Sequence, residues 1–475
     1  MTSSLDPLFK TPTLEALPWD VSPADILHRW PRSEALCVLW SGEAGPSSRW
    51  VSFANPARRI TFGAAAKATE LLDFFSDLPM SPNSGHESPQ SDHPPFRSGW
   101  MGWMAYEVGG LLEPAAVTGP PAAPPGSGPL MEWFRVDGVL AFDTHQRRWW
   151  RTNGDRWHLP SPVADQAFGF TTGPAAADDP AAYARAVSRT IEFTKAGDIY
   201  QANITREIAW PFKGSGRGLF GALMRESSPW FGAYFEADDP WARRIIASAS
   251  PELFLSFDAA TREVCTRPMK GTGGSATALR DSVKDASELT MIVDLMRNDL
   301  GRVCTSGSVR VEDHRAIEHH GGPNAGLLQT TTTVRGTLEA TRTHADLIRA
   351  AFPAGSITGA PKIRAMQIIR ELEQRNRGVY CGAIGAIDDS GSLQLSVAIR
   401  TACIVGTAMD GPGATTTDGV DGTLTYGVGG GIVTDSDPAA EWRETDAKAA
   451  AIRRIADAHG SADATTESES GPPKE

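Results

Sequence analysis

Short strand-like runs joined by tight turns recur along most of the chain, and they constrain its fold more than any single motif does. Within residues 35–63, ALCVLW and RWVSFAN flank the turn-rich SGEAGPSS and suggest an antiparallel meander. VDGVLAFDTHQRRWWRT reads as a hairpin turning near Asp143–Gln146. VYCGAIGAIDDSGSLQLSVAIRTACIV reads as another, turning at Asp388–Gly391 with Arg400 near the middle of its second strand. ARRIIASASPELFLSF is a strand pair broken at Ser250-Pro251, and shorter strands are expected at 306–313 and 326–339. TLTYGVGGGIV is a strand whose glycines permit close approach of a ligand or another backbone.

Helical spacing appears between these runs. A helix is expected over Asp179–Ala196, with Tyr183, Val187, Ile191 and Phe193 on or beside one face and Gly197 ending it. In the following DIYQANITREIAW, Tyr200, Ala202 and Ile204 share one face and Gln201, Asn203 and Thr205 the other. Three polar groups facing one way line a polar cavity or a solvated sheet face; the second is the commoner case. Leu289, Ile292, Val293, Met296 and Leu300 mark an amphipathic helix closed by Gly301. Ile363, Met366, Ile369 and Leu372 mark another, with Pro361 suited to its first turn. Asp437-Pro438 starts the last helix, where Glu441, Glu444 and Lys448 share a face that reads plainly as solvated charge.

A formal charge of −12 over 475 residues, without basic blocks, argues against nucleic acid or an anionic membrane as partner. Any acidic ligand must be met by local positive groups. The five cysteines show no C-x-x-C spacing and read as reduced, buried thiols. No signal-peptide pattern opens the chain and no stretch approaches 18 uninterrupted apolar residues, so a soluble, cytoplasmic protein is expected. Residues 81–96 and 115–129, rich in Pro, Ser and Gly, read as surface loops, TAMDGPGATTTDGVDG as a flexible insert, and the tail 460–475 as disordered.

Three places offer chemistry. Pro268 and Gly271 are expected to end a strand through Val264–Thr266, so that Lys270 projects from a strand-to-loop turn. Glu288 lies one turn before Met291 and Ile292, at the border of the buried stripe. Glu252, between Pro251 and LFLSF, has surroundings that would raise its pKa and suit a general acid. Each also has an ordinary reading, as a surface lysine, a helix-terminal acid and a turn carboxylate. The loop of Gly355, Ser356, Thr358 and Gly359 before the second amphipathic helix could hold an anion, and Lys362 at that end is easier to understand with one nearby.

GDIYQANIT (197–205), SPELF (250–254), RPMKGT (267–272), KDASELTMIVDLMRNDLGRV (284–303), FPAGSITGAPK (352–362), CGAIG (381–385), IRT (399–401) and GGGIVTDSDPAAEWRETDAK (429–448) occur in one order. From about residue 180 to 455 the chain thereby resembles the chorismate-utilising enzymes, and within them the aminodeoxychorismate synthase branch. Weaker similarity, including FRSGWMGWMAYEVGG (96–110), extends toward the N-terminus. The resemblance implies an α/β (α+β) fold of two packed antiparallel sheets with helices outside. It also implies an N-terminal part over 1–175 and a chorismate-binding catalytic domain over 176–459. The glutamates matching Glu288 and Glu444 hold Mg²⁺ in the family, with Glu441 nearby. Arg400, Tyr380 and backbone N–H groups at Gly359, Gly429 and Gly431 match positions that bind the substrate's carboxylates, and Lys448 borders the metal site. Thr358 and Gln201 complete the implied substrate-binding set, and Glu252 matches the acid that protonates the departing C4 hydroxyl.

Two positions separate the branches. Lys270 stands in PxKGT where anthranilate synthases carry PxAGT, which implies a covalent nucleophile toward chorismate; ammonia then displaces it to give 4-amino-4-deoxychorismate, on the route to p-aminobenzoate and folate. Gln201 stands where the water-activating enzymes of the family carry a lysine, which disfavours hydroxylation. Gln329 departs from a family histidine, and the loop after Lys270 is short and lacks the arginine often found after GT. No cysteine lies in a Gly-x-Cys-x-Gly setting, so a separate glutamine amidotransferase subunit or free ammonia is expected to supply nitrogen. The alternative within the family is anthranilate synthase component I.

Overall fold

The strand-like runs pair antiparallel in two sheets, of 12 and 10 strands among the described residues. The computed structural model describes residues 13–42, 49–80, 92–117, 128–153, 168–238, 242–273, 275–320, 327–409 and 419–460. Most of SGEAGPSS, of the two Pro/Ser/Gly-rich stretches and of the TAMDGPGATTTDGVDG insert, with the tail after residue 460, lie outside these. Both sheets take strands from either side of residue 175. The first runs from Leu14–Leu17 at one edge to Gln201–Ser215 and Gly359–Ala360 at the other, and the second from Arg58–Phe62 to Met269–Gly273.

Each sheet has two apolar faces to cover. The inner faces meet in a core that includes Met101, Trp103, Phe134, Phe235, Ile246 and Ile384. Helices cover the outer faces. Val283–Gly301 lays Leu289, Ile292, Val293, Met296 and Leu300, all buried, on the second sheet beside Leu255, Val264 and Val334. Burial of such side chains contributes roughly 1.5–3 kcal/mol each. Ser282 caps that helix by accepting from Asp285 N–H, which fixes where it starts. Pro438–Ala458 covers the first sheet, capped by Asp437, whose side chain accepts from Ala440 N–H as its sequence suggests. The Pro180–Ala196 helix ends at Gly197 in the left-handed region, φ 80°.

Three local expectations change. Pro268 interrupts but does not end the strand: Glu263–Arg267 and Met269–Gly273 both pair with Leu327–Thr337, so Lys270 lies inside a second short strand, opposite Thr330. The Lys362–Glu373 helix buries Ala365, Met366, Ile368 and Ile369, while Ile363 is 39% exposed. At 100° per residue Ile363 lies nearly opposite the centre of that face. Arg400 is not in mid-strand. It joins Leu393–Val397 of the second sheet to Thr401–Ala408 of the first, with φ 51°, at the crossover between sheets.

Candidate active site

The site is organised by the last strand, Gly419–Ile432. Thr401–Ala408 pairs with it only as far as Tyr426, whereas Gln201–Ser215 pairs with it to Ile432. Beyond Tyr426 one edge of YGVGGGIV therefore has no strand partner among the described residues. Its glycines leave room that side chains would fill. A Cβ on Gly427 would meet the Tyr380 ring at 2.2 Å. One on Gly430 would come within 2.8 Å of Glu441 Oε2, and one on Gly431 within 2.7 Å of Gln201 Nε2 and 2.8 Å of Lys270 Nζ. Lys448 donates to the Gly429 carbonyl at 2.7 Å. Four glycines within five residues thus gather a phenol, two ammonium groups, a carboxylate and an amide from four segments.

Acids and bases alternate around this strand. Lys270 Nζ lies 3.7 Å from Glu288 Oε2, Lys284 Nζ lies 3.8 Å from Glu288 Oε1 and 3.5 Å from Glu441 Oε1, and Lys448 Nζ lies 2.8 Å from Glu444 Oε1. Burial raises the Glu288 carboxyl above its ordinary pKa, with Lys270 and Lys284 opposing the rise. Burial pushes Glu444 the same way, but the charge and hydrogen bond of Lys448, with Lys270 and Lys284 behind, hold it below the usual value. The face of the last helix read as solvated is divided: the Glu441 side chain is buried, and those of Glu444 and Lys448 are partly exposed.

Glu252 lies within reach of the Lys270 and Lys448 charges. It is buried, its Oε1 accepts from Ser356 Oγ at 2.6 Å, and its main chain is fixed by Val397 N–H at 3.0 Å. Burial raises its pKa to about 7, against the Ser356 hydrogen bond, the Lys270 charge, the Met269 backbone hydrogen bond and the Lys448 charge. The contact with Met269 sets Glu252 one residue from Lys270. A carboxyl that holds its proton near neutrality can donate it in a reaction.

Several polar groups are buried around this strand. The polar face of Gln201, Asn203 and Thr205 is buried rather than solvated, while the Lys362–Glu373 helix packs Ala365, Ile368 and Ile369 with Ala202 and Ile204 of the other face. Neither amide atom of Gln201 makes a hydrogen bond among the described residues. A buried amide left unpaired costs about 1–3 kcal/mol, which a polar ligand would recover. Arg400, half-buried beside Tyr426, makes no ion pair among the described residues, and burial lowers its pKa. An arginine in that state is suited to a carboxylate. Thr358 is buried, and Gly359, with φ 138°, brings its backbone so close to Gln201 that a Cβ would sit 2.1 Å from the Gln201 carbonyl. Gln329 is buried in the strand opposite Thr272. Lys362 is met by the chain itself, donating to Asp299 Oδ2 at 2.6 Å and the Ala351 carbonyl at 2.7 Å.

Among the described residues no three His, Cys, Asp or Glu side chains converge on one point as a ready-made metal cage. A hard dication of the Mg²⁺ type needs less, since it commonly takes one or two carboxylates and keeps several waters. Glu288 and Glu441 already share one cationic neighbour, the Lys284 ammonium, and Glu288 Oε1 is buried without a hydrogen-bond partner among the described residues. That donor set fits such an ion. Lys284 escaped the sequence reading although it stands four residues before Glu288, an ion-pair spacing. Ser356 was read only as part of an anion loop; its contact with Glu252 spans 104 residues, so local sequence carries no trace of it.

No helix among the described residues is long and apolar enough to cross a membrane. Residues 36–454 match the family model described as chorismate binding enzyme. The aminodeoxychorismate synthase component 1 of Salmonella typhimurium is 31% identical over 472 residues, 92% of this chain and 96% of that protein. The anthranilate synthase component 1 of Streptomyces coelicolor is 33% identical over 403 residues, covering 76% of this chain and 73% of that protein. The structure of anthranilate synthase component I from Streptococcus pneumoniae superposes with a TM-score of 0.67 at 25% identity, over 86% of this chain and 92% of that one. By matched length, fold and sequence, the chain belongs to the chorismate-binding enzymes.

Proposed function

We propose that the protein aminates chorismate with ammonia to 4-amino-4-deoxychorismate through a covalent adduct on Lys270. One observation carries this reading: the Lys270 amine lies over Gly431 beside the unpartnered Gln201 amide, 3.7 Å from Glu288 and one residue from the contact with Glu252. Nucleophile and acid thus flank one space. The substrate's carboxylates are received by Arg400, by Tyr380, whose phenol burial keeps protonated, and by backbone groups at Gly359, Gly429 and Gly431. Thr358 and Lys448 border them. Glu252 gives its proton to the C4 hydroxyl as the Lys270 nitrogen bonds C2, the ring double bonds shift toward C4 and water leaves; ammonia then bonds C4, the double bonds shift back and the Lys270 nitrogen departs from C2. Splitting one substitution into two lowers each barrier. Glu288 and Glu444, with Glu441, would hold Mg²⁺, which when bound neutralises a substrate carboxylate and orients the ring. Ammonia is taken from solution or from a separate glutamine amidotransferase subunit in the cytoplasm.

The relatives carry both branch names at similar identity, so anthranilate synthesis is the competing reading. Lys270 favours the first, because it places an amine where the second branch has alanine. Incubation with chorismate, MgCl₂ and an ammonium salt separates the two. Anthranilate fluorescence without further enzyme would overturn our reading, while p-aminobenzoate appearing only after a lyase is added is the expected result.

A further inference from the structure

We propose that Ser356, held in place by the buried Glu373–Arg377 pair, is the positioning residue for the general acid Glu252, binding Oε1 so that Oε2 alone delivers the proton. The inference rests on the function proposed above. Ser356 is 7% exposed, and its hydroxyl donates to Glu252 Oε1 at 2.6 Å. A neutral carboxyl has one O–H and one acceptor oxygen. An oxygen that accepts from Ser356 is the acceptor, so the proton resides on Oε2. On transfer, the Oε2–H bond breaks and the proton joins the C4 oxygen. That oxygen keeps the pair of the breaking C–O bond and leaves as water. The Lys270 nitrogen supplies the pair for the new C–N bond at C2, the ring double bonds shift so that C4 regains the pair lost with its oxygen, the amine gives up a proton to solvent, and the Ser356 hydrogen bond then steadies the carboxylate left behind.

The turn bearing Ser356, Gly355–Ile357, is fixed from two sides. A Cβ on Gly355 would meet Leu295 Cδ2 at 2.6 Å, so the turn lies directly on the helix that carries Glu288. From the other side Arg377 donates through Nη1 to the Ile357 carbonyl at 2.9 Å and through Nη2 to the Asn203 carbonyl at 2.6 Å. The same guanidinium bonds both Glu373 oxygens, at 3.0 and 2.7 Å, and stacks 4.4 Å from the Tyr106 ring centre. Glu373 Oε1 in turn accepts from Thr205 N–H at 2.8 Å. One planar cation therefore sets the distance between the strand bearing Gln201 and the turn bearing Ser356. Lysine, with a single tetrahedral ammonium, cannot reproduce that fork.

The charged and hydrogen-bonding groups facing Glu252 are Lys270, Lys448, the Met269 backbone and Ser356. Loss of the serine hydroxyl removes a hydrogen bond that favours the carboxylate, so the acid should hold its proton to higher pH. The test measures kcat and KM against pH with an ammonium salt as nitrogen donor, in wild type, Ser356→Ala, Ser356→Thr and Arg377→Lys. In parallel, difference infrared spectra without substrate follow the Glu252 carboxyl, with Glu252→Gln as the subtraction reference. Ser356→Ala is expected to lower kcat about 10- to 100-fold with KM little changed. It should also move the alkaline limb and the infrared midpoint up by about one pH unit. Ser356→Thr should restore both, and Arg377→Lys should show the same signature in weaker form. An unmoved midpoint in Ser356→Ala, or a moved midpoint with unchanged kcat, overturns the assignment. If the wild type converts no chorismate the functional reading fails instead, and the infrared midpoint still decides whether Ser356 governs this carboxyl.

Discussion

Burial holds Glu252 protonated to about pH 7 against an ordinary value of 4.5, and two pH dependences follow. The folded state binds this proton more tightly than the unfolded chain, so the carboxyl is harmless below the unfolded value and costs stability as pH rises toward the folded one. Glu252→Gln keeps the shape and has no charge to desolvate. Its stability gain over wild type should therefore grow by about 2 kcal/mol between pH 5 and pH 8, read by urea unfolding at each pH; a constant difference would contradict the raised pKa. Lys270 makes a chemical prediction. Wild type mixed with chorismate should show an adduct mapping to Lys270 by mass spectrometry, and Lys270→Ala should show none and lose aminodeoxychorismate formation. At this scale the motifs singled out Lys270, Glu252 and Glu288, which the fold brings near one another. Arg400 also sits in a motif, but its place at a crossover between sheets was not legible, nor was the Ser356 contact with Glu252 across 104 residues.

A strand with glycine at successive positions is weak alone, having no side chains to pack and more backbone entropy to lose. Gly427 to Gly431 pair along one edge with Gln201–Ser215 and, among the described residues, with no strand along the other, so the element serves as a floor on which other segments set their polar ends. Two substitutions should therefore behave differently. In Gly427→Ala the new methyl meets ring carbons of buried Tyr380 at 2.2–2.6 Å, and the ring has nowhere to go. A loss of about 1–3 kcal/mol by chemical denaturation is expected. In Gly431→Ala the clash, at 2.7 and 2.8 Å, is with the ends of Gln201 and Lys270, which can move aside. Stability should change by less than about 1 kcal/mol while kcat falls at least about 10-fold. Equal destabilisation of both variants would contradict the division. YGVGGGIV announced close approach in the sequence, but which groups approach is settled by strand pairing, as it is for Lys270, drawn into a second strand because Leu327–Thr337 is long enough to pair on both sides of Pro268.

At the scale of the whole molecule, each sheet is assembled from both halves of the chain, and two helices separated by more than a hundred residues bring Glu288 and Glu441 to one ammonium. The two-sheet architecture was anticipated by resemblance; the interleaving was not, since long-range pairing leaves no local pattern. Acids from separate elements repel one another unless a cation stands between them, and here Lys284 and Lys448 supply that charge. If Mg²⁺ takes over the role, it binds the native arrangement and not the unfolded chain, where these residues are far apart. Binding then stabilises by RT ln(1 + [L]/Kd), about 1.4 kcal/mol at ten times Kd. The melting temperature should accordingly rise with MgCl₂ and return with EDTA, while KCl of equal ionic strength has no such effect. Glu288→Gln should abolish the rise, because it removes the buried carboxylate oxygen that lacks a hydrogen-bond partner. Lys284→Met should enlarge it, because the ion no longer has to displace an ammonium from between Glu288 and Glu441. A rise in melting temperature that survives Glu288→Gln would mean that Mg²⁺ binds elsewhere, and chorismate would then have to be held by Arg400 and the open glycine edge without it.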